Sequence, residues 1–281
     1  MKAEAVFLLL VAAIPMLACV ELVKALRWHI LMGAGRLDFA QSMRALVAGQ
    51  LTNALVPLHA GEVVSVGLLK AEGGPLVAGS AALAATKALD ALTLAAIAAA
   101  VLGAEVLRHA NAALLGALAV LLALIALAVF RGPAGRKLHS GAVARKLHLA
   151  ELLDVAAGVR DARVVAVLAG ASAAVWIAGL AANWLVLLAV GVAPSLELAA
   201  RMLVAGYVVG LLPAPPARLG VFEGAIAAAL IPTGVGLGQA VTAAVALHAC
   251  QLAELGLLLG ASFGWARWAG RSGVPAARQL P

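Results

Sequence analysis

The sequence predicts an all-α polytopic membrane protein with five long spans and two re-entrant, broken helical hairpins in an inverted repeat. Three observations lead there. Of the 281 residues, 64% are hydrophobic and only 12% are charged, about half the charged share of a soluble domain. Five stretches reach the roughly 20 apolar residues that carry a helix across a hydrocarbon core about 30 Å thick. Two further apolar stretches are interrupted by proline and glycine, so that neither half is long enough to cross. The net charge is +7, yet the basic residues gather in particular segments instead of coating a face that could follow a phosphate backbone. A soluble enzyme and a nucleic-acid binder are thereby excluded.

The first span is Ala5 to Val23. Met16-Leu17-Ala18-Cys19 loosely resembles a lipoprotein cleavage site, but only Lys2, beside Glu4, precedes the apolar run, and the run continues through Val23; an uncleaved span is expected. Gln41 to Lys70 forms the first hairpin, broken by Asn53, Pro57, His59, Gly61 and Glu62. Pro75 to Leu102 and Ala112 to Phe130 are the second and third spans. Arg131 to Arg163 is polar and basic, with leucines at loose helical spacing, and reads either as an amphipathic helix on the inner leaflet or as a solvated linker. Val164 to Val192 is the fourth span. Leu196 to Pro232 is the second hairpin, broken from Pro213 to Gly220, and Gln239 to Phe263 is the last span. The chain thus divides into a first membrane repeat (1–130), a basic cytoplasmic segment (131–163), a second, inverted repeat (164–263) and a cytoplasmic tail (264–281). Cys19 and Cys250 both lie in apolar runs and behave as small hydrophobes.

The two hairpins echo each other. Arg44-Ala45-Leu46-Val47-Ala48-Gly49 returns as Arg201-Met202-Leu203-Val204-Ala205-Gly206, followed by Pro57 or Pro213 and then by Gly61-Glu62 or by Gly220 and Glu223. Three complete spans separate the copies, and an odd number inverts the second. With the amino terminus outside, Lys24, Arg27, Arg36, Arg44 and Lys70, the basic segment and the carboxy-terminal arginines fall inside. Lys2, Arg108, Arg201 and Arg218 fall outside, so the positive-inside rule predicts an external amino terminus and a cytoplasmic carboxy terminus.

Ionisable residues at membrane depth need a reason to be there. They are Glu62, Lys87, Asp90, Arg218, Glu223, His248 and Glu254. Lys87 and Asp90, three apart, share a helical face and are expected to pair. Glu62 and Glu223 follow the two breaks, where a half-helix beginning near mid-depth offers free N–H groups to a phosphate or carboxylate; a glutamate there can equally cap its own helix. The six histidines and two cysteines form no metal-ligand pattern, and no phosphate-cradling GxxxxGK[ST] is present. No metal, cofactor or ATP hydrolysis is expected.

The ordered set Asn53, Pro57, Gly61 and Glu62, then Lys87 and Asp90, then Pro213, Pro216, Leu219, Gly220 and Glu223 resembles the flippase-like membrane family that includes the transmembrane region of lysylphosphatidylglycerol synthase. The likeness runs from about Arg27 to Phe263. It departs where the family pattern carries guanidinium or glycine: Ser65 stands for an Arg three residues after Gly-Glu, Lys87 for an Arg, Ala217-Arg218 for Gly-Gly, and His248 for an Arg of the last span. The resemblance implies a non-enzymatic protein of the inner membrane that moves a lipid or lipid-linked head group between leaflets, or else a non-transporting accessory of a lipid-modifying pathway. An aminoacyl-transferring domain of the kind some relatives carry is not expected from this sequence, nor is synthesis of lysylated lipid. Anionic or phosphate-bearing membrane lipids are the implied partners, with a second copy or a pathway enzyme besides, and no nucleic acid. The candidate substrate-binding residues are Asn53, Pro57, Gly61, Glu62, Lys87, Asp90, Pro213, Arg218, Gly220, Glu223 and His248.

Overall fold

The computed structural model describes residues 2–33, 37–56, 60–102, 161–211 and 215–271, and among these every regular element is helical. Helix α1 is Ala3–Met32, α2 Phe39–Leu55, α3 Ala60–Ala71 and α4 Leu76–Leu102. After the basic segment come α5 (Ala162–Ala189), α6 (Leu196–Leu211), α7 (Val221–Leu230) and α8 (Leu237–Arg271), with single 3₁₀ turns at Pro216–Arg218 and Ile231–Thr233.

Among the described residues four helices, α1, α4, α5 and α8, are long and apolar enough to cross a membrane. They correspond to the first, second, fourth and fifth predicted spans. The predicted span Ala112 to Phe130, most of the basic segment, Pro57 and Pro213 lie outside the described residues. Two predicted boundaries move. Helix α1 continues nine residues past Val23 to Met32 before Gly33, at φ 92°, ends it. Helix α8 runs through the predicted start of the tail to Arg271.

The arms of the two broken hairpins are short. At 1.5 Å per residue, α2 is about 26 Å long, α3 about 18 Å, α6 about 24 Å and α7 about 15 Å, each less than the hydrocarbon thickness. Helix α2 starts on a capping box in which Asp38 Oδ1 accepts the Gln41 N–H at 2.7 Å and Gln41 Oε1 accepts the Asp38 N–H at 2.9 Å. Its partner α3 folds back against it so closely that a Cβ on Gly61 would sit 2.0 Å from the Gly49 carbonyl oxygen. Only glycines at 49 and 61 allow that approach. The open end of this hairpin is fastened by Arg44, which donates from Nε and Nη2 to both Glu72 carboxylate oxygens at 3.1 and 2.9 Å. Arg201, its counterpart in the sequence echo, pairs instead along its own helix with Glu197 at 2.9 Å.

The two halves share out their contacts reciprocally. Helix α1 packs along α5 more extensively than any other pair of elements; α4 packs on α6 while α8 packs on α2, and each hairpin's second arm packs on the long helix that follows it. The interfaces are built from small side chains: Ala13, Ala25, Ala82, Ala182, Ala240 and Ala244 are fully buried. Without a hydrophobic drive between helices in lipid, such residues gain stability by letting backbones approach, which accounts for the alanine-rich composition. Larger groups fill the centres, with Phe222, Ile226 and Leu247 in one cluster and Trp28, Leu46 and Leu69 in another. Trp28 is fully buried and satisfies its indole by donating to the Gly79 carbonyl at 2.9 Å. Phe7, Ile177 and Leu257 face outward.

Candidate substrate cavity

Where the hairpins meet the long helices the protein forms a partly open cavity of about 250 Å³. That is room for a head group and not for a whole lipid. Its wall combines apolar side chains such as Leu94, Met202 and Phe222 with Asn53, Lys87, Asp90, Arg218 and His248. Five of the residues predicted from sequence therefore converge on one space, although they come from α2, α4, the 3₁₀ turn and α8. Glu62 lines a smaller adjoining pocket of about 30 Å³ together with Lys87 and Asp90. Glu223 reaches the cavity through His248.

The predicted Lys87–Asp90 pair is not formed; each takes another partner. Lys87 extends to Glu62 in the first turn of α3. Asp90 meets Arg27, whose Nη2 lies 2.7 Å from Asp90 Oδ1 and whose Nη1 donates to Ser172 Oγ at 3.0 Å. The cause is the length of α1. Glu21, Lys24 and Arg27 recur every three residues on one face of a helix that continues to Met32, which brings them against α4 instead of into a flanking loop. Arg27 is fully buried, so Lys24 and Arg27 are not the loop charges expected from sequence.

Lys24 pairs with Glu21 at 2.8 Å and lies 5.3 Å from the centre of the Tyr207 ring. Gln50 donates to the second Glu21 oxygen at 3.3 Å. Glu21, Lys24, Gln50, Tyr207 and Glu254 all line the cavity, and sequence reasoning did not place them in the site. The signal that finds the first two is the three-residue spacing of Glu21, Lys24 and Arg27, hidden when the span is closed at Val23.

Both hairpin tips use side chains to satisfy the freed backbone. Asn53 Oδ1 accepts the Gly61 N–H at 2.7 Å. At the second tip Glu223 Oε2 accepts the Gly220 N–H at 2.7 Å, while Oε1 lies 2.6 Å from His248 Nδ1. With an ionised carboxylate, which only accepts, that ring nitrogen is the donor. Phe222 packs on the same imidazole with ring centres 4.7 Å apart. Glu62–Lys87 and Glu223–His248 are each separated by 25 residues, and each ties a hairpin's second arm to the following long helix. Gly61 and Gly220 thus act through their backbone, Gly61 by close approach and Gly220 by its φ of 78°.

Arg218 stands apart. It and Ala217 hold φ of 51° and 55°, the non-glycine residues with positive φ among those described. Its guanidinium lies over Gly210, where an added Cβ would be 3.6 Å from Nη1. Glu62 is near enough to act on it, yet among the described residues Arg218 has no ion-pair or hydrogen-bonded side-chain partner. Among the described residues no three His, Cys, Asp or Glu are placed to hold a metal ion. Cys19 and Cys250 are free thiols.

Residues 1–260 match the family of the lysylphosphatidylglycerol synthase TM region. The chain belongs to this family. It is accordingly a multi-pass, lipid-related membrane protein. No curated protein and no solved structure matches it. In the family pattern the Ala217-Arg218 positions carry Gly-Gly, and the backbone gives the reason: both residues are left-handed, the region where glycine is unstrained and an L side chain is not. Ser65, at the place of a family arginine, is buried with its hydroxyl against Gly49 and lines the smaller pocket beside Glu62.

Proposed function

We propose that this protein moves a phosphate-bearing lipid head group between leaflets of the inner membrane, carrying the head group in the central cavity while the acyl chains stay in lipid. The observation that carries the reading is Arg218: a guanidinium on the cavity wall, on strained backbone, with no protein partner among the described residues. Guanidinium groups bind phosphate bidentately, and strain at a site is a reason to look for function there. Lys87, roughly half exposed, supplies a second cation on the same wall. The reciprocal contacts of the two halves and the matching 25-residue ties support an inverted repeat. Such a repeat lets one half rock against the other around a fixed mid-depth site. The re-entrant course of both hairpins is consistent with arms too short to cross and with freed amides that are capped internally. The amino terminus is placed outside and the carboxy terminus in the cytoplasm on the distribution of basic residues, which remains asymmetric after Lys24 and Arg27 are set aside. No bond is made or broken in this scheme, so the protein acts as a transporter and not an enzyme.

The test is lipid exchange in proteoliposomes containing fluorescent phosphatidylglycerol, with outer-leaflet dye quenched chemically. Wild type is expected to expose inner-leaflet dye to the quencher. Arg218→Gly is expected to fold at least as well, because glycine relieves the positive φ, and to lose exchange. Exchange in Arg218→Gly at the wild-type rate would remove the head-group site, and no exchange in wild type would leave the accessory reading in its place.

A further inference from the structure

The charges around the cavity can be matched one against another. Glu21 is held by Lys24, Asp90 by Arg27, Glu62 by Lys87 and Glu223 by His248. Among the described residues two cavity-lining ions are left over, Arg218 and Glu254. Arg218 takes the head group in the reading above. Glu254 is only 3% exposed, lines the cavity from α8, and its Oε2 is buried without a hydrogen-bond partner among the described residues. A bare carboxylate in that position is strongly disfavoured; such a group takes up a proton or a cation instead of staying charged and alone.

We infer that Glu254 is a proton-binding site that couples head-group movement to proton movement through the same cavity. The surroundings favour a proton over a metal ion. A proton needs one carboxylate oxygen, whereas a hard metal cation needs several ligands, and the described residues supply no cluster for one. Lys24 already places an ammonium close enough to act on Glu254, as does the Glu21 carboxylate, and a second fixed cation would meet that ammonium. The packing elements otherwise present few charges here. Helix α2 contributes Gln50 and α5 contributes Asn183, both neutral, and the glutamate of α7, Glu223, is occupied by His248. Across the cavity Asp90 and Lys87 of α4 are occupied by Arg27 and Glu62, Tyr207 of α6 faces Lys24, and Arg218 completes the wall.

In the step itself, a Glu254 carboxylate oxygen forms an O–H bond with a proton delivered by cavity water. The neutral side chain gives that proton back to water when the cavity faces the other side, and nothing is oxidised or reduced. The neutral form leaves Lys24 balanced by Glu21 and removes the unmatched carboxylate from the cavity wall. An anionic head group can then enter toward Arg218 without meeting an opposing carboxylate. The inference rests on the head-group reading, so its test needs one arm that does not involve lipid transport.

The first arm is infrared difference spectroscopy of the reconstituted full chain between acidic and alkaline buffer. Wild type is expected to show the carbonyl stretch of a neutral carboxyl group, Glu254→Gln to lack that component, and Glu254→Asp to retain it at a shifted position. An unchanged band in Glu254→Gln would overturn the inference whatever the protein transports. In the second arm, vesicles carry fluorescent phosphatidylglycerol and an imposed pH gradient. Wild-type exchange is expected to change several-fold when the gradient is imposed, and the ratio of the two rates is expected to collapse to about one in Glu254→Gln. A wild-type ratio of one in vesicles that exchange lipid well would overturn proton coupling while leaving the head-group site standing. Absence of exchange under every gradient would overturn both.

Discussion

Arg27→Met and Lys87→Met separate two ion pairs that look alike in a list of charges and differ in their surroundings. Arg27 has no side-chain exposure and Asp90 has 16%, whereas Lys87 has 48% and Glu62 has 29%. Removing Arg27 strands a buried carboxylate and also leaves Ser172 Oγ without its donor, a loss of about 3–5 kcal/mol for a buried pair broken on one side. Removing Lys87 breaks a pair open to the cavity, where screening limits the loss to about 1 kcal/mol or less. For a chain of this size each kcal/mol moves the unfolding midpoint by about 2–4 °C, so Arg27→Met should lower it by about 6–20 °C. Lys87→Met should lower it by no more than about 4 °C. Thermal unfolding of the detergent-purified protein, followed by tryptophan fluorescence, reads both. The double variant Arg27→Met with Asp90→Leu should recover most of the loss, since it removes the stranded charge and replaces the pair with apolar volume. Equal destabilisation by Arg27→Met and Lys87→Met, or a double variant no better than Arg27→Met, would refute the assignment of partners.

Gly61→Ala should destabilise the first hairpin by about 1–3 kcal/mol, as overpacking does, while Gly67→Ala, with nothing within 4 Å of its added Cβ, should be near neutral in the same unfolding assay. Ala217→Gly should raise stability by about 1 kcal/mol by relieving a left-handed residue, and Ala217→Val should lower it. Glu223→Gln should leave the protein folded, because an amide oxygen still accepts the Gly220 N–H, but should reduce lipid exchange by loosening His248 on the cavity wall. Single cysteines in 131–163 should resist an impermeant thiol reagent added to intact cells, and a cysteine at Asn111 should react; labelling of 131–163 from outside would reverse the orientation.

Long apolar runs announced themselves. Spans of about 20 residues depend on composition alone, so α1, α4, α5 and α8 were legible, and so were the breaks that make α2, α3, α6 and α7 short. What sequence spacing could not supply was choice of partner. Lys87 and Asp90 satisfy the three-residue rule for sharing a helical face, but a shared face only makes contact available. Tertiary packing brought Glu62 and Arg27 nearer, and each takes one of the two. The same limit explains Glu254. Its place in an apolar span is legible in the sequence, but its lack of a partner among the described residues depends on Lys24 being claimed by Glu21, a contact that straddles the expected end of the first span at Val23. Gly61 is a candidate binding residue by sequence, and in the structure it serves the close approach of two backbones, against Gly49 and Asn53.

The case for function at the second hairpin tip rests on an interaction that the fold leaves open. Among the described residues every other ionic group around the cavity except Glu254 has its energetic reason inside the chain: Glu223 caps Gly220 and holds His248, Glu62 holds Lys87, and Asp90 offsets the burial of Arg27. Arg218 has none among the described residues, and its backbone is worse off than glycine would be by about 1–2 kcal/mol, with Ala217 beside it in the same region. A structural role would be visible as a partner inside the chain that repays this strain, just as Asn53 at the first tip is a partner for the freed amide of Gly61. Replacing Arg218 by glycine would then cost stability. If instead the open interaction belongs to a ligand, the same replacement stabilises the tip and removes the activity. The two accounts therefore predict opposite signs for one substitution in one unfolding experiment, before any lipid is added.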